Sequence, residues 1–446
     1  MDRPAESQPA IVSGQPSAPA TQGGDVRARW AWTAPAVWTA RMLTALEQGV
    51  KGGVWFSLID KVWSKANLVA SAHHVTANKG AAGVDRVTVE EFTRRLDENL
   101  AHLERTLREG TYQPRALRRV WVPKPGSREK RPLGIPTIRD RVVQAALRYV
   151  LEPIFERDFA AHSYGFRPGR GCQDALRRVA QLLKEGYTYI VDVDLQSYFE
   201  TIPHARLLAL TRRKVADGRV LALLERFLTQ GIMDGLREWT PEAGSPQGAV
   251  ISPLLSNIYL DPLDHQMAAA GFQMVRYADD SVILCRSRAE AERALAVVQQ
   301  WVADAALALH PEKTRIVTHE EGFDFLGYHF ERGYCWPRKK SLKKVKDALR
   351  VKTRRKNGHS LACIIQDVNL TLRGWYSYFQ RSHWTTFGPI DSWVRMRLRS
   401  ILRKRRGGRG RGRGSDHQRW PNAFFAEHGL LSLQRAHRLA GQPSWR

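Results

Sequence analysis

Apolar and polar residues follow two different periods along this chain, and these periods predict a mixture of helices and strands. Apolar side chains that recur every three or four residues are typical of helices that bury one face. Segments with this period are 57–77, 88–109, 136–154, 207–227, the stretch after Pro253, 289–309 and 341–349. Short runs rich in β-branched and aromatic residues, bounded by glycine or proline, predict strands between them.

One pair of strand-like runs, within residues 275–284, encloses the adjacent aspartates Asp279 and Asp280. Such runs around a tight polar centre predict a β-hairpin with both aspartates at its tip. Side chains alternate faces along a strand, so one carboxylate should enter a site and the other should lie nearer its rim. Aspartate is also common in ordinary turns, and an isolated pair would favour that simpler interpretation. The apolar strands around this pair make the simple-turn interpretation less favourable.

A second strand-like run, residues 187–195, puts Asp192 and Asp194 on one face. If this strand lies beside the hairpin, Asp194 and Asp279 come within a few ångströms of each other. Two carboxylates at that distance repel strongly unless a cation lies between them. Oxygen ligands suit Mg²⁺, and two such ions about 4 Å apart stabilise the attacking and leaving oxygens of nucleotidyl transfer. The two segments together predict a two-magnesium site.

Basic residues are concentrated in two further loops. Residues 120–136 predict two short strands around a Pro-Gly turn, with Lys124 and Arg131 on this basic hairpin. The hairpin is either simply solvated or grips a triphosphate, and a neighbouring carboxylate site favours the second interpretation. The segment 163–171 is rich in glycine and arginine, which would let its backbone approach a phosphate closely.

The charge of the whole chain points to a polyanionic partner. The 446 residues carry a formal net charge of +26, and residues 331–446 hold 28 Lys and Arg against 6 Asp and Glu. An excess this large in one quarter of the chain favours nucleic acid. Residues 399–414 alternate Arg and Gly, which predicts a flexible cationic tract suited to backbone phosphates.

Other features narrow the class of protein. Residues 1 to about 25 are rich in Pro, Ser, Ala, Gln and Gly, which predicts disorder. The four cysteines are scattered without a Cys-x-x-Cys pair, so neither a zinc finger nor a disulfide framework is expected, and the cytoplasm is the default location. No apolar stretch reaches 18 residues, so no membrane span is expected.

Seven short blocks, taken in order, resemble the reverse transcriptases, or maturases, encoded by bacterial group II introns. They are Lys-Arg-Pro-Leu-Gly-Ile-Pro (130–136), Ser-Tyr-Gly-Phe-Arg-Pro-Gly (163–169), Asp-Leu-Gln-Ser-Tyr-Phe (194–199), Ser-Pro-Gln-Gly (245–248), Tyr-Ala-Asp-Asp (277–280), Phe-Leu-Gly (325–327) and Gly-Trp-Tyr-Ser-Tyr (374–378). The resemblance extends from about residue 61 to about residue 379.

This resemblance implies an α+β, right-hand polymerase fold with fingers, an antiparallel-sheet palm and a helical thumb. The implied domains are a disordered segment (1–28), reverse transcriptase fingers and palm (29–335), a thumb or maturase domain (336–398) and a basic DNA-binding tail (399–446). No endonuclease domain is expected, as the scattered cysteines also indicate.

The resemblance also assigns roles to individual residues. Asp194, Asp279 and Asp280 are expected to hold two Mg²⁺ ions, with Asp280 the weaker ligand. Nucleotide binding is expected from Lys124 and Arg131 at the triphosphate, Phe199 under the sugar where it excludes a 2′-OH, Gln247 beside the nucleotide and template, and Lys313 behind the site. RNA contacts are expected from Arg167, Arg170, Lys343, Lys344, Arg373, Trp375 and Tyr376.

The implied function is an RNA-directed DNA polymerase that uses dNTPs, an RNA template and a DNA primer or target. It would also bind group II intron RNA to assist splicing and retrohoming. Three alternatives stay open: a domesticated, intron-free enzyme of repair or phage defence, an RNA-binding splicing chaperone with an idle polymerase site, and an RNA-dependent RNA polymerase. Phe199 argues against the last, and the intact aspartates argue against the chaperone.

Overall fold

The computed structural model describes residues 25–123, 130–412 and 414–441 of the chain. Its helices are α1 (Val26–Arg29), α2 (Ala40–Gln48), α3 (Ile59–Trp63), α4 (Lys65–Ala77), α5 (Val89–Arg94), α6 (Leu96–Glu109), α7 (Ile138–Glu156), α8 (Cys172–Lys184), α9 (Tyr198–Thr201), α10 (His204–Arg212), α11 (Gly218–Leu228), α12 (Ser252–Ala269), α13 (Arg288–Asp304), α14 (Lys339–Lys352), α15 (Leu361–Phe379), α16 (Phe387–Arg405), α17 (Ser415–Arg419), α18 (Asn422–Glu427) and α19 (Leu433–Leu439).

The strands are β1 (Leu117–Pro123), β2 (Lys130–Ile135), β3 (Tyr189–Asp194), β4 (Ile232–Asp234), β5 (Arg237–Trp239), β6 (Gln273–Tyr277), β7 (Asp280–Cys285), β8 (Arg315–Thr318), β9 (Phe323–Phe325), β10 (Tyr328–Glu331) and β11 (Tyr334–Pro337). The fold is therefore α+β, as the resemblance implied. No helix of the described ranges is long and apolar enough to cross a bilayer.

The central sheet has the order β6-β7-β3-β8, and all its neighbouring strands run antiparallel. One face, which includes Val191, Val193 and Ile283, packs in the large core against helices such as α12 and α13. The other face, which includes Ile190 and Val282, packs in a second core with α8 and the small sheet β11-β10-β9. Because both faces are covered, only the ends of the strands are available for polar chemistry.

A third sheet, β2-β1-β4-β5, is mixed, because β1 runs antiparallel to β2 and parallel to β4. It contains the basic hairpin predicted for 120–136, although the turn itself, 124–129, lies outside the described residues. The loop 244–248 crosses the base of this sheet, where the Gly134 N–H donates to the carbonyl of Gln247 at 2.8 Å.

The C-terminal quarter is helical around its own core, in which α14, α15 and α16 pack with residues from α18 and α19. Helix α16 continues through residue 399 as far as Arg405, so the first part of the tract predicted to be flexible is helical. Arg399 is 3% exposed and donates from Nε to the carbonyl of Trp420 at 2.8 Å. Residues 399–405 contain no glycine, so the helical part of the tract lies before the alternation of Arg and Gly begins.

Other boundaries also differ from the predictions. The helices predicted for 57–77, 88–109 and 207–227 are each divided in two, and the last division occurs because Asp217 both caps α11 and accepts the backbone N–H groups of Leu58 and Ile59. The basic helix predicted from residue 341 begins two residues earlier, at Lys339 of α14, and the Ser341 hydroxyl donates to the carbonyl of Gly327. Within the segment predicted to be disordered, α1 is ordered, whereas residues 1–24 lie outside the described ranges.

Candidate active site at the carboxylate hairpin

The predicted hairpin is present, and its turn carries the first aspartate. Tyr277 pairs with Asp280, so the two-residue turn consists of Ala278 and Asp279. Ala278 has a φ of 59°, a left-handed conformation that matches the twist of a tight hairpin but is uncommon for a residue with a side chain. The tight turn places Asp279 beyond the last pair of the ladder and leaves Asp280 as the first residue of β7.

The strand register brings the second carboxylate segment to the same place. In the β3–β7 ladder the Cα atom of Asp194 is the direct partner of that of Asp280. Directly opposed residues of an antiparallel pair have Cα atoms about 4.5 to 5.5 Å apart and side chains on one face. Asp192 lies two residues before Asp194 and shares that face, so three carboxylates occupy one corner of the sheet beside the turn with Asp279.

Desolvation and the charges of neighbouring carboxylates raise the pKa values of three of these groups. Desolvation, reinforced by the charges of Asp192, Asp279 and Asp194, raises the pKa of Asp280 to about 7 even though its side chain reaches solvent. Desolvation and the charge of Asp194 likewise raise the pKa of Asp279. Desolvation raises the pKa of Asp192 to about 6, against the lowering effect of Arg315. The corner therefore concentrates negative charge that a bound cation would relieve.

A lysine neutralises one of these groups. Lys313 donates from Nζ to both carboxylate oxygens of Asp194, at 3.2 and 3.3 Å. In the described part of the chain, no three His, Cys, Asp or Glu side chains form a ready-made metal cluster as they stand. The donor chemistry nevertheless fits a hard divalent ion, because carboxylate oxygens are what Mg²⁺ prefers. Such an ion would have to compete with the Lys313 ammonium for Asp194.

Of the two cations expected at the triphosphate, Arg131 lies within the described residues. Arg131 is exposed on β2 opposite Val122, and its charge offsets part of the rise that desolvation causes in the pKa of Asp279. The guanidinium is therefore close enough to act on the carboxylate electrostatically. Lys124 lies outside the described residues. The nucleotide contacts of both residues remain predictions.

Phe199 and Gln247 line one cavity of about 450 Å³, between the mixed sheet and the loop 240–247. The Phe199 carbonyl accepts the N–H of Ser245 at 2.7 Å, and its ring packs edge-on against that of Tyr198. Phe199 follows the end of β3 by five residues, so the distance along the chain from Asp194 is short. The roles of Phe199 and Gln247 at the nucleotide stay predictions.

The two arginines of the loop 163–171 form hydrogen bonds within the protein. Arg167 is 6% exposed, its Nε and Nη2 atoms bind Glu156 at 2.7 to 3.0 Å, and its Nη1 donates to the carbonyls of Ala160 and Ser163. Arg170 is half-buried and donates to the carbonyl of Ala161. RNA contact by Arg167 is not supported by this placement, because the guanidinium faces no solvent. The loop instead depends on it for its shape.

The residues expected to bind RNA in the C-terminal quarter divide into two groups. Lys343 and Lys344 on α14 and Arg373 on α15 are exposed. Trp375 and Tyr376 are half-buried and pack in the helical core, where Trp375 lies 4.9 Å from the ring of Phe379. The exposed cations are therefore accessible to a polyanion, whereas both aromatic rings contribute to the packing of this core.

The sequence analysis missed the residues that support the turn. Arg276 is 2% exposed and binds Asp264 and Asn257 of α12, and it also donates to the carbonyl of Ala278 at 2.8 Å. Gly165 packs against the turn so closely that a Cβ atom there would overlap the backbone of Ala278. Arg276 is a charged residue in the apolar run that leads into the hairpin, and this sequence feature could have predicted its supporting role.

Comparison with known proteins identifies the family. The profile described as reverse transcriptase (RNA-dependent DNA polymerase) matches residues 122–330, and the profile of the group II intron maturase-specific domain matches residues 342–420. Protein YkfC of Escherichia coli (strain K12) is 34% identical over 347 residues, 68% of this chain and 86% of YkfC. The chain belongs to the group II intron reverse transcriptase/maturase family. As a member of that family, it carries an RNA-dependent DNA polymerase domain and a maturase-specific domain.

Other relatives of this reverse transcriptase/maturase match over shorter lengths. The group II intron-encoded protein LtrA of Lactococcus lactis subsp. cremoris is 37% identical over 190 residues, which are 42% of this chain and 31% of LtrA. A 91 kDa protein in the cob intron of Schizosaccharomyces pombe is 43% identical over 147 residues, 33% of this chain and 18% of that protein. The chain thus matches less than a third of the length of either relative.

Proposed function

We propose that this reverse transcriptase copies an RNA template into DNA at the corner formed by Asp194, Asp279 and Asp280. The supporting observation is the register that opposes Asp194 and Asp280 and adds Asp279 in the adjoining turn. The fold suits a right-hand arrangement in which the central antiparallel sheet is the palm. The mixed sheet would then belong to the fingers, and α14 to α16 would form the thumb.

Two Mg²⁺ ions, when bound by these carboxylates, would stabilise the attacking and leaving oxygens of the displacement at the α-phosphorus. The chain itself supplies positioning. Arg131 and Lys124 would neutralise the triphosphate, whose pyrophosphate part leaves as the 3′-OH of a DNA primer forms its bond to the α-phosphorus. Phe199 would lie under the sugar and exclude a 2′-OH, which selects dNTPs, and Gln247 would orient the nucleotide on the template.

Lys313 would hold the position of Asp194 from behind. Its ammonium already contacts both oxygens of that carboxylate, in a solvent-exposed pair of the kind that adds little to stability. We therefore expect the charge of Lys313 to orient the Asp194 carboxylate and not to stabilise the fold.

The same chain would bind group II intron RNA and assist its splicing and retrohoming. The exposed lysines of α14 and the surplus of Arg and Lys across residues 331–446 support this role, because phosphate contacts by such side chains dominate nucleic-acid affinity. Residues beyond 399 would contribute contacts to the DNA target.

Primer extension on an RNA template, with a DNA primer and dNTPs, tests this function. We expect extension by the wild-type chain and none by Asp279→Ala. Glu292→Gln, which changes an exposed acid on α13, serves as the matched control and should extend normally. Equal extension by wild type and Asp279→Ala would contradict the proposal and favour a non-catalytic RNA chaperone.

A further inference from the structure

One buried guanidinium connects the turn of the carboxylate hairpin to the helix behind the sheet. Arg276, on β6, points away from the carboxylate corner and towards α12. Its Nε donates to both oxygens of Asp264 at 2.8 and 3.0 Å, and its Nη2 donates to the same carboxylate. Its Nη1 donates to the side-chain oxygen of Asn257 at 3.0 Å and to the carbonyl of Ala278 at 2.8 Å.

The bond to Ala278 matters because of the shape of the turn. Ala278 has the left-handed φ of 59°, which a residue with a side chain adopts only when its surroundings enforce it. Arg276 supplies one such restraint from inside the protein. The carbonyl that it holds belongs to the peptide bond leading into Asp279, so the guanidinium fixes the backbone from which that carboxylate projects.

A second chain segment completes the restraint. Asn257 accepts from Arg276 and donates from Nδ2 to the carbonyl of Gly165 at 2.9 Å. Gly165 in turn packs on the backbone of the turn, at a position where a Cβ atom would overlap Ala278. The backbone of Arg276 itself bonds to His162 and Tyr164, at 3.0 and 2.9 Å. Helix α12, the loop around residues 162–165 and the hairpin turn are therefore connected through the side chain and backbone of Arg276.

From this arrangement we infer that Arg276 is a positioning residue, which holds the Ala278–Asp279 turn in the geometry that lets Asp279 bind a divalent ion. The inference rests on the proposed function of Asp279 and extends it to a residue that touches neither substrate nor metal. Partners that orient metal ligands are known to affect metal affinity by about ten- to a hundredfold when they are changed.

A purely structural role has to be separated from this one, because removing one partner of any buried ion pair destabilises a protein. Arg141 provides a matched control. It is 8% exposed, and its Nε and Nη2 donate to the carbonyl of Pro136 at 3.0 and 2.9 Å, so it is a buried arginine that does not contact the turn. Arg141→Lys should lower stability without altering the carboxylate corner.

The experiment measures Mn²⁺ binding to the full-length chain by electron paramagnetic resonance, together with thermal unfolding to verify folding. Arg276→Lys keeps the charge but cannot reproduce the fork of bonds to Asp264, Asn257 and Ala278. We expect its Mn²⁺ affinity to fall about ten- to a hundredfold. Arg141→Lys should bind Mn²⁺ as wild type does. Primer extension by Arg276→Lys should recover in part when Mn²⁺ is raised.

Should Arg276→Lys fail to fold, Asn257→Ala carries the test, because it removes a single neutral partner and leaves the ion pair with Asp264. It should weaken Mn²⁺ binding by a smaller factor in the same direction. Unchanged Mn²⁺ affinity in the folded variants would overturn the inference, and so would an equal loss in Arg141→Lys. Asp279→Ala separates this failure from failure of the proposed function: if it binds Mn²⁺ and extends primers normally, the proposed site itself is wrong.

Discussion

Two segments resembled parts of nucleic-acid enzymes in sequence, namely the Tyr-Ala-Asp-Asp hairpin and the Gly-Trp-Tyr-Ser-Tyr segment of α15. In the structure they have opposite environments. The hairpin ends at an open corner, where Asp279 and Asp280 gather with Asp194. The helix turns Trp375 and Tyr376 into the core of the C-terminal quarter. Ionised side chains cannot be buried without partners, whereas aromatic rings serve a core as well as a surface. Carboxylates in apolar strands were therefore the more reliable guide to an accessible site.

The first prediction tests the hairpin side of the comparison and has the largest expected effect. Asp194→Asn removes the charge that faces Asp280, and we expect it to slow nucleotidyl transfer about a thousandfold, which is about 4 kcal/mol in the barrier. Single-turnover extension on an RNA template measures this. Asp304→Asn, an exposed aspartate at the end of α13, should leave the rate unchanged. A fall in RNA affinity that accounts for the whole loss would contradict a role in chemistry.

The aromatic side of the comparison gives the second prediction. Trp375→Ala removes a half-buried ring that packs on Phe379, so we expect the free energy of unfolding to fall by about 2 to 3 kcal/mol. RNA affinity of the folded fraction should be preserved. Denaturant titration and RNA binding of the same sample measure both quantities. Trp384→Ala, whose ring is 58% exposed, should cost much less stability. Normal stability with weakened RNA binding would reverse the comparison.

Exposed cations, in contrast to the aromatic rings, should contribute to RNA affinity directly. We expect the double change Lys343→Gln and Lys344→Gln to weaken RNA binding about tenfold and to lower the salt slope by about 1.4, which corresponds to two lost phosphate contacts on single-stranded RNA. Filter binding across salt concentrations measures both. Lys65→Gln with Lys184→Gln, two exposed lysines outside α14, should change neither value. An unaltered slope would remove α14 from the RNA interface.

The smallest effect concerns the charge concentrated at the corner. The pKa of Asp280 is raised from its ordinary value of 3.8 to about 7, so between these values the folded chain binds more protons than the unfolded chain. Stability without divalent metal should therefore fall as the pH rises towards 7. Asp280→Asn should stabilise the metal-free chain near pH 8 by at most about 1 kcal/mol, because solvent screens this exposed group. The gain should vanish below about pH 4, and an equal gain at both pH values would contradict the raised pKa.

The sequence predicted the parts of the fold that depend on local pattern. The hairpin around Asp279, the strand with Asp194, the basic hairpin and most helices follow directly from period and turn residues. The close pairing of the two carboxylate strands was a conditional expectation, since a strand's neighbours are chosen by the whole sheet. The structure satisfies that condition with the register of β3 and β7.

What the sequence could not provide depends on distant contacts. Asp217 divides a predicted helix because it also caps backbone N–H groups of residues 58 and 59, more than 150 positions away. Arg167 was expected to contact RNA, but its guanidinium donates instead to Glu156 and to neighbouring carbonyls. Arg276 gave no local signal of its partners, because Asp264 and Asn257 belong to a helix behind the sheet. Buried polar networks of this kind are properties of the tertiary fold.

A crystal structure of the chain with Mn²⁺, an RNA template and a DNA primer would test the central claim most directly, through the anomalous scattering of manganese. The account predicts two manganese ions about 4 Å apart, bound by the carboxylates of Asp194 and Asp279 with Asp280 beside them. Manganese bound elsewhere, or a primer 3′ end that lies away from this corner in a complex able to extend it, would contradict the account.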